Sequence, residues 1–207
     1  MIIAVDGPTA SGKGTIAKAL AAHFDLPHLD TGLLYRAVGR QVVLNGGNPD
    51  RSEDALAATD FADALLADPE LRNEATGSLA SRVSIHPLVR KALFDRQRAF
   101  ALQEGGAVLD GRDIGTVIAP DAEAKLYVTA SVEVRAKRRC TEMQESGRDV
   151  SLEAMMDDLA ARDERDTNRA DAPLMVAPDA ILIDTTSLNK EAAIAAAIAA
   201  VENALHG

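Results

Sequence analysis

The sequence predicts an α/β fold, a parallel sheet with helices on both faces. Short runs that are apolar throughout alternate with longer stretches of helical periodicity, and strands without a polar face need cover on both sides. A glycine-rich turn, Gly7-Pro8-Thr9-Ala10-Ser11-Gly12, joins the first such run directly to the first helical stretch, the strand–turn–helix connection from which parallel sheets are built.

Taken in order, Ile2-Ile3-Ala4-Val5 reads as a buried strand, followed by the turn and a helix from Lys13 to Phe24. His28-Leu29-Asp30 is a short strand leading into a helix over Thr31 to Leu44, with Leu34, Val38 and Val42 on one face. Asn45-Gly46-Gly47-Asn48-Pro49 breaks the chain. Ser52 to Ala67 reads as helix with Ser52 as its N-cap, Asp68 to Ser84 gives a mixed signal, and Leu88 to Gln103 is helical up to Gly105-Gly106. Ala107 to Asp110 and Ala124 to Thr129 are strands. Val132 to Gln144 is a helix ending near Gly147, and Ser151 caps another reaching Asp163. Ile181 to Asp184 is the last strand, before a C-terminal helix whose apolar face is Ile194, Ile198, Val201 and Leu205. The absence of repeats, low-complexity tracts and linkers predicts one domain over 1–207.

Composition narrows the function. Of 207 residues, 32 are acids and 22 are Lys or Arg, a net charge of −10. That excludes a protein that coats nucleic acid through excess cations. Aromatics at 3% with no Trp exclude base-stacking platforms. One cysteine, Cys140, leaves too few thiols for a disulfide or a thiolate metal site. The longest apolar run, Ala192 to Val201, falls short of the roughly 20 residues that span a bilayer, and the N-terminus meets Asp6 too soon for a signal core. A cytoplasmic protein without a membrane or nucleic-acid partner is expected, and nothing in the sequence demands more than a monomer.

Gly7-Pro8-Thr9-Ala10-Ser11-Gly12-Lys13-Gly14-Thr15 is the strongest functional signal. Glycines let backbone N–H groups wrap a phosphate, the helix N-terminus adds positive potential, and Lys13 reaches the β- and γ-phosphates. This predicts a nucleotide enzyme, a kinase. The position after Lys13 usually carries the hydroxyl that ligates magnesium, but here it is Gly14, with the hydroxyl moved to Thr15. The GKGT ending is similar to nucleoside monophosphate kinases rather than GTPases or motor ATPases, and no Asn-Lys-x-Asp segment selects guanine.

Transfer to a second phosphate needs no strong base, because a phosphate monoester with a second pKa of about 6 is already largely ionised. It needs cations that let two polyanions approach, and arginine grips phosphate oxygens in pairs. Arg36 lies about one turn beyond Thr31 at a helix start. Asp110-Gly111-Arg112-Asp113 ends a strand, where parallel sheets place ligands. Arg162 to Arg169 is a second basic cluster. Asp110 is a candidate to orient Mg2+ through water.

These residues together resemble the bacterial cytidylate kinases. The matching segments are Asp6-Gly7-Pro8 through Thr15, Leu29-Asp30-Thr31-Gly32 with Tyr35-Arg36, and Asp110 through Val117. Arg162 through Asp166 with Asn168-Arg169, Ala172-Pro173-Leu174, Asp179-Ala180 and Asp184-Thr185-Thr186 complete the set. The resemblance implies the P-loop nucleoside monophosphate kinase fold, with five parallel strands, an excursion over the monophosphate at about 30–90 and a lid at about 145–165. It implies phosphorylation of CMP and dCMP by ATP with Mg2+. Lys13, Arg112, Arg162 and Arg169 are then the expected catalytic residues. Arg36, Arg112 and Arg169 hold the acceptor phosphate beside Thr31. Ser81, Arg90 and Asp113 meet the cytosine, and Asp166, with Arg162, meets the sugar. Base chemistry agrees: cytosine offers an N4 amino donor to Asp113 where uracil presents a carbonyl.

Two rival functions stand beside this one, a kinase for UMP or AMP and a non-catalytic nucleotide-binding regulator. The family often carries a β-rich insert in the monophosphate-binding excursion, and Leu65 to Thr76 is too short for a full one. The four histidines, His23, His28, His86 and His206, have no metal-ligand spacing and read as surface or half-buried residues. Arg135, Lys137, Arg138 and Arg139 form a basic helical turn that either approaches ATP or is a solvated face.

Overall fold

The computed structural model describes residues 1–145 and 147–206; Ser146, within the segment read as a lid, and Gly207 lie outside the described residues. The chain divides into two compact units, Met1–Leu29 with Gln103–Gly207, and Asp30–Leu102.

The first unit is built on a five-stranded parallel sheet in the order β2-β3-β1-β4-β5. The strands are β1 (Ile2–Asp6), β2 (His28–Asp30), β3 (Ala107–Gly111), β4 (Ala124–Thr129) and β5 (Ile181–Asp184). Every residue of β1 and β3 is buried, the apolar runs at 2–5 and 107–109 as expected and Asp6 and Asp110 at their carboxyl ends with them. The register pairs Asp6 with Gly111 on one side and with Tyr127 on the other, so β1 and β3 end level while β4 runs on to Thr129. Parallel sheets bind ligands at this carboxyl edge.

Helices α1 (Lys13–His23) and α8 (Lys190–His206) cover one face. Ile16, Ala17 and Leu20 of α1, with Ala193, Ala197 and Val201 of α8, pack against Ile3, Val5, Val108, Leu126 and Val128. The expected apolar face of α8 is therefore rotated. Alanines form its buried centre, Ile194 and Ile198 flank it, and Leu205 is exposed. Small side chains bring this helix close to α1, and bulkier isoleucines seal the edges. Helices α6 (Val132–Glu145) and α7 (Leu152–Asn168) share a smaller core of Ala136, Met143, Met155 and Leu159. Ser151 caps α7 as expected, accepting from Ala154 N at 3.2 Å.

The second unit is helical throughout after β2. It contains α2 (Thr31–Leu44), α3 (Ser52–Ala57), α4 (Glu74–Val83) and α5 (Pro87–Ala101), with 3₁₀ turns at Asp63–Ala67 and Pro69–Arg72. The helix expected over Ser52 to Ala67 is broken after Ala57, where Thr59 Oγ1 donates to the Leu56 carbonyl at 2.7 Å and ends the ladder. Ser52 is its first helical residue and Arg51 occupies the N-cap. The mixed segment before Ser84 resolves into α4, capped by Asn73, whose Oδ1 accepts from Thr76 N at 2.7 Å. Among the described residues of this segment there is no strand, so no β-rich insert is present.

Candidate active site

The glycine-rich loop leaves β1 at Asp6 and enters α1 at Lys13. Gly7 has φ of 151°, and a Cβ there would sit 2.0 Å from the Val128 carbonyl oxygen, so no side chain fits. The Gly12 carbonyl accepts from Thr15 N and Ile16 N, both at 3.1 Å, opening the helix. The first-turn N–H groups of α1 thus follow directly on the loop. Lys13 Nζ folds back toward the Pro8 carbonyl at 3.4 Å. Ser11 is buried, and its hydroxyl has no hydrogen-bond partner within the protein. A buried polar atom of this kind is costly unless something else satisfies it.

Residues distant in sequence hold the outside of the loop. Arg135, almost fully buried, donates to the Ala130 carbonyl at 2.9 Å, to the Thr9 carbonyl at 3.1 Å, and to both oxygens of Asp163 at 3.2 and 2.6 Å. Arg138 reaches the Thr185 carbonyl at 2.8 Å and its hydroxyl at 3.0 Å. The Thr185 hydroxyl in turn donates to the Ser11 carbonyl at 3.0 Å. These carbonyls point outward toward cations and hydroxyls, which leaves the loop's N–H groups for the inner face. Of the basic turn on α6, Lys137 pairs with Glu133 at the surface at 2.6 Å, and Arg139 pairs with Glu142 at 2.8 Å.

Asp6 anchors the second part of the site. Its buried carboxylate accepts from Ile114 N and Gly115 N, each at 2.8 Å. Burial pushes its carboxyl up from an ordinary 3.8 to about 6, against the pull of those two N–H groups. The turn it holds, Ile114–Ile118, is a wide helical one, with Ile118 N bonded to the Asp113 carbonyl at 3.1 Å and Ala119 N to that of Ile114 at 2.7 Å. Wide turns of this kind recur at functional sites. Here one fixes the direction in which Arg112 and Asp113 leave β3.

Arg112 bridges the loop and α7. It donates to Thr9 Oγ1 at 2.7 Å and to Asp166 at 2.8 Å. Burial alone would raise the Asp166 carboxyl, but the guanidiniums of Arg112, Arg162 and Arg169 outweigh it and hold the carboxyl below the usual range. Arg169 donates to the Ala172 carbonyl at 2.6 Å and approaches Asp113 at 3.5 Å. Arg112, Asp113, Arg162, Asp166 and Arg169 thus form one cluster of alternating charge beside the phosphate loop.

Asp110, buried at the end of β3, completes this unit. His28 Nε2 lies 2.7 Å from its Oδ1, and a Cβ on Gly14 would lie 3.7 Å from its Oδ2. Among the described residues, no three His, Cys, Asp or Glu side chains form a metal cage. A single carboxylate beside a phosphate loop suits a hydrated Mg2+, which keeps several waters and takes one or two carboxylates plus substrate phosphates.

The second unit carries the remaining expected residues. Thr31 is the buried first residue of α2. Arg36 donates to the carbonyls of Leu71 and Asn73, both at 2.8 Å, just ahead of α4. A Cβ on Gly77 would come within 2.9 Å of its guanidinium, so the glycine makes room for that side chain. Ser81 is buried on α4. Arg90 is buried on α5 with its guanidinium carbon 5.6 Å from the centre of the Tyr35 ring.

Sequence reasoning missed four contributors. Arg135 and Arg138 stood in a basic turn whose register on the loop only the fold reveals. Thr185 was seen only as part of a matching segment. His28 carried no signal beyond its place two residues before Asp30.

A profile of the family "Cytidylate kinase" matches residues 3–203. The chain is 55% identical over 204 residues to "Cytidylate kinase" of Caulobacter sp. (strain K31), covering 98% of this chain and 94% of that one. It is 56% identical over 203 residues to "Cytidylate kinase" of Xanthobacter autotrophicus (strain ATCC BAA-1158 / Py2), covering 98% and 97%. Among solved structures, an uncharacterized protein from Eubacterium ventriosum ATCC 27560 superposes with a TM-score of 0.54 at 17% identity, over 98% of both chains. That last similarity concerns the fold alone.

Proposed function

The chain belongs to the cytidylate kinase family, and from that premise we propose how it carries out the reaction and on which acceptors. It has the P-loop nucleoside monophosphate kinase fold, and it phosphorylates CMP with ATP, giving CDP and ADP. The observation that carries this is the family match along nearly the whole chain. We extend it to dCMP, to Mg2+ as the accompanying ion, and to a monomer acting in the cytoplasm.

In the proposed mechanism the loop Gly7-Pro8-Thr9-Ala10-Ser11-Gly12-Lys13-Gly14-Thr15 binds the ATP phosphates through its N–H groups, and Lys13 swings off the Pro8 carbonyl to the β- and γ-phosphates. Arg36, Arg112 and Arg169 hold the CMP phosphate beside Thr31, and Arg112 and Arg162 offset charge that develops between donor and acceptor. No residue acts as general base, since the acceptor oxygen is already ionised. Asp110 would hold Mg2+ through its waters; the ion supplies neutralisation of the donor phosphates. Asp113 accepts from the cytosine N4 amino group, Arg90 and Ser81 donate to its O2 and N3, and Asp166 accepts from the sugar. The link from Asp6 to the Ile114 turn supports this reading, because it fixes the backbone that aims both Arg112 and Asp113.

A coupled ADP-release assay across CMP, dCMP, UMP and AMP tests the acceptor assignment. Turnover with CMP and dCMP is expected to exceed that with UMP or AMP. Faster turnover with UMP or AMP would reject the cytidine assignment, and no turnover with any acceptor would point to a regulator. Asp113→Asn presents a donor to the cytosine amino group, and its CMP-over-UMP preference is expected to fall by about 10- to 100-fold.

A further inference from the structure

We propose that His28 is a positioning residue for the metal-bearing side of the phosphate site, acting through Asp110. The inference rests on the reading of Asp110 as the carboxylate that meets hydrated Mg2+. His28 sits on β2, the strand beside β3, whose end carries Asp110. The His28 side chain is 16% exposed and that of Asp110 5%, and Nε2 and Oδ1 are 2.7 Å apart. A carboxylate oxygen accepts, so the ring N–H at Nε2 donates.

This contact settles which oxygen faces the loop. With Oδ1 on the imidazole, Oδ2 is the oxygen turned toward Gly14 at the start of α1. A small cation that demands near-ideal octahedral geometry tolerates little rotation in the group that receives its waters. Rotation about the Asp110 side chain is what the imidazole resists. Outer partners of metal-binding carboxylates act in this way, by orienting the group that does the binding. The sheet supplies the rigidity, because His28 and Asp110 project from neighbouring strands rather than from loops.

The test compares His28→Gln, whose amide nitrogen reaches as far as Nε2, with His28→Asn, whose amide is too short. Both remove the ring, so a purely packing role moves both alike. Mn2+ serves as the probe: its affinity for the complex of the full-length enzyme with a non-hydrolysable ATP analogue is read by electron paramagnetic resonance, and the KM for CMP is measured in parallel. His28→Asn is expected to weaken Mn2+ by about tenfold, with His28→Gln within about threefold of wild type and the KM for CMP unchanged in both. Equal weakening in the two variants, or no weakening in His28→Asn, overturns the proposal. Asp110→Asn separates the premise from the inference: if it leaves Mn2+ affinity intact, the role of Asp110 falls. If it abolishes the affinity while His28→Asn retains it, the role of His28 alone falls. Thermal melting of each variant reports folding, and Gln against Asn carries the test even if both lose some stability.

Discussion

The arginines expected at the site are braced differently in the two units, although the helical unit has carboxylate pairs of its own at Arg40–Asp68, Arg82–Asp50 and Arg96–Asp63. In the sheet-bearing unit the guanidiniums meet carboxylates: Arg112 with Asp166 at 2.8 Å, Arg135 with Asp163 at 2.6 Å, and Arg169 approaching Asp113 at 3.5 Å. In the helical unit Arg36 leans on two backbone carbonyls, and Arg90 on the face of a tyrosine ring. A carboxylate neutralises its partner, whereas a carbonyl orients it. The first arrangement suits a site assembled before substrate arrives, with Asp166 standing where an anion belongs. The second uses neutral groups to aim the guanidinium.

The sharpest way to break this contrast is to truncate one arginine from each unit. Arg112→Ala and Arg36→Ala are both expected to lower kcat/KM for CMP by about a thousandfold, or about 4 kcal/mol of transition-state stabilisation. Stability separates them. Removing Arg112 strips a partly buried carboxylate of its nearest cation and is expected to cost about 2 kcal/mol. Removing Arg36 frees the Leu71 and Asn73 carbonyl oxygens, which can be rehydrated, and is expected to cost about 1 kcal/mol. Urea unfolding of the two variants measures the difference. Equal stability losses would erase the distinction between neutralised and oriented arginines.

How much of this was legible beforehand follows the same division. The phosphate loop is a continuous segment whose chemistry depends on residues next to one another, so Gly7 through Thr15 could be read directly, as could α2 and the strands with their unbroken apolar runs. The outer supports of that loop could not. Arg135, Arg138 and Thr185 lie more than a hundred residues from it in sequence, and periodicity carries no information about which side of a helix faces a distant carbonyl. In the helical unit the difficulty was local: Ser52 to Ala67 has helical composition, yet the Thr59 hydroxyl competes for the carbonyl that would continue the ladder. His28 was invisible for a third reason, since nothing in a lone histidine announces that a strand pairing will set it beside Asp110.

Asp6 sharpens the sheet-side half of the comparison through its proton. Burial raises its carboxyl from 3.8 to about 6, so the folded state binds the proton more tightly than the unfolded chain does. The corresponding stability is fully present below about pH 4 and is lost as pH rises through about 6, a span of about 3 kcal/mol. Asp6→Asn cannot ionise and also turns an amide N–H toward one of the two backbone donors. It is expected to be destabilised relative to wild type, with a gap that narrows between pH 4 and pH 7. Denaturant unfolding at the two pH values measures the gap, and a widening would show that the two N–H bonds from Ile114 and Gly115 outweigh burial.

Gly77→Ala is the smallest and most selective probe of the helical unit. Alanine in place of glycine inside α4 favours the helix by roughly 0.5–1 kcal/mol. The new methyl would lie 2.9 Å from one guanidinium nitrogen of Arg36 and 3.2 Å from the other. Those atoms are the far end of a flexible side chain, so the arginine yields and the helix does not. Stability and function are therefore expected to part: the melting temperature holds or rises slightly, while the KM for CMP increases by about tenfold, or about 1.4 kcal/mol, and the KM for ATP stays where it was. The displaced guanidinium loses its hold on the Leu71 and Asn73 carbonyls, which is what fixes its direction. A lower melting temperature with an unchanged KM for CMP would instead make Arg36 a brace of the helical unit, leaving Arg112 and Arg169 to meet the acceptor phosphate.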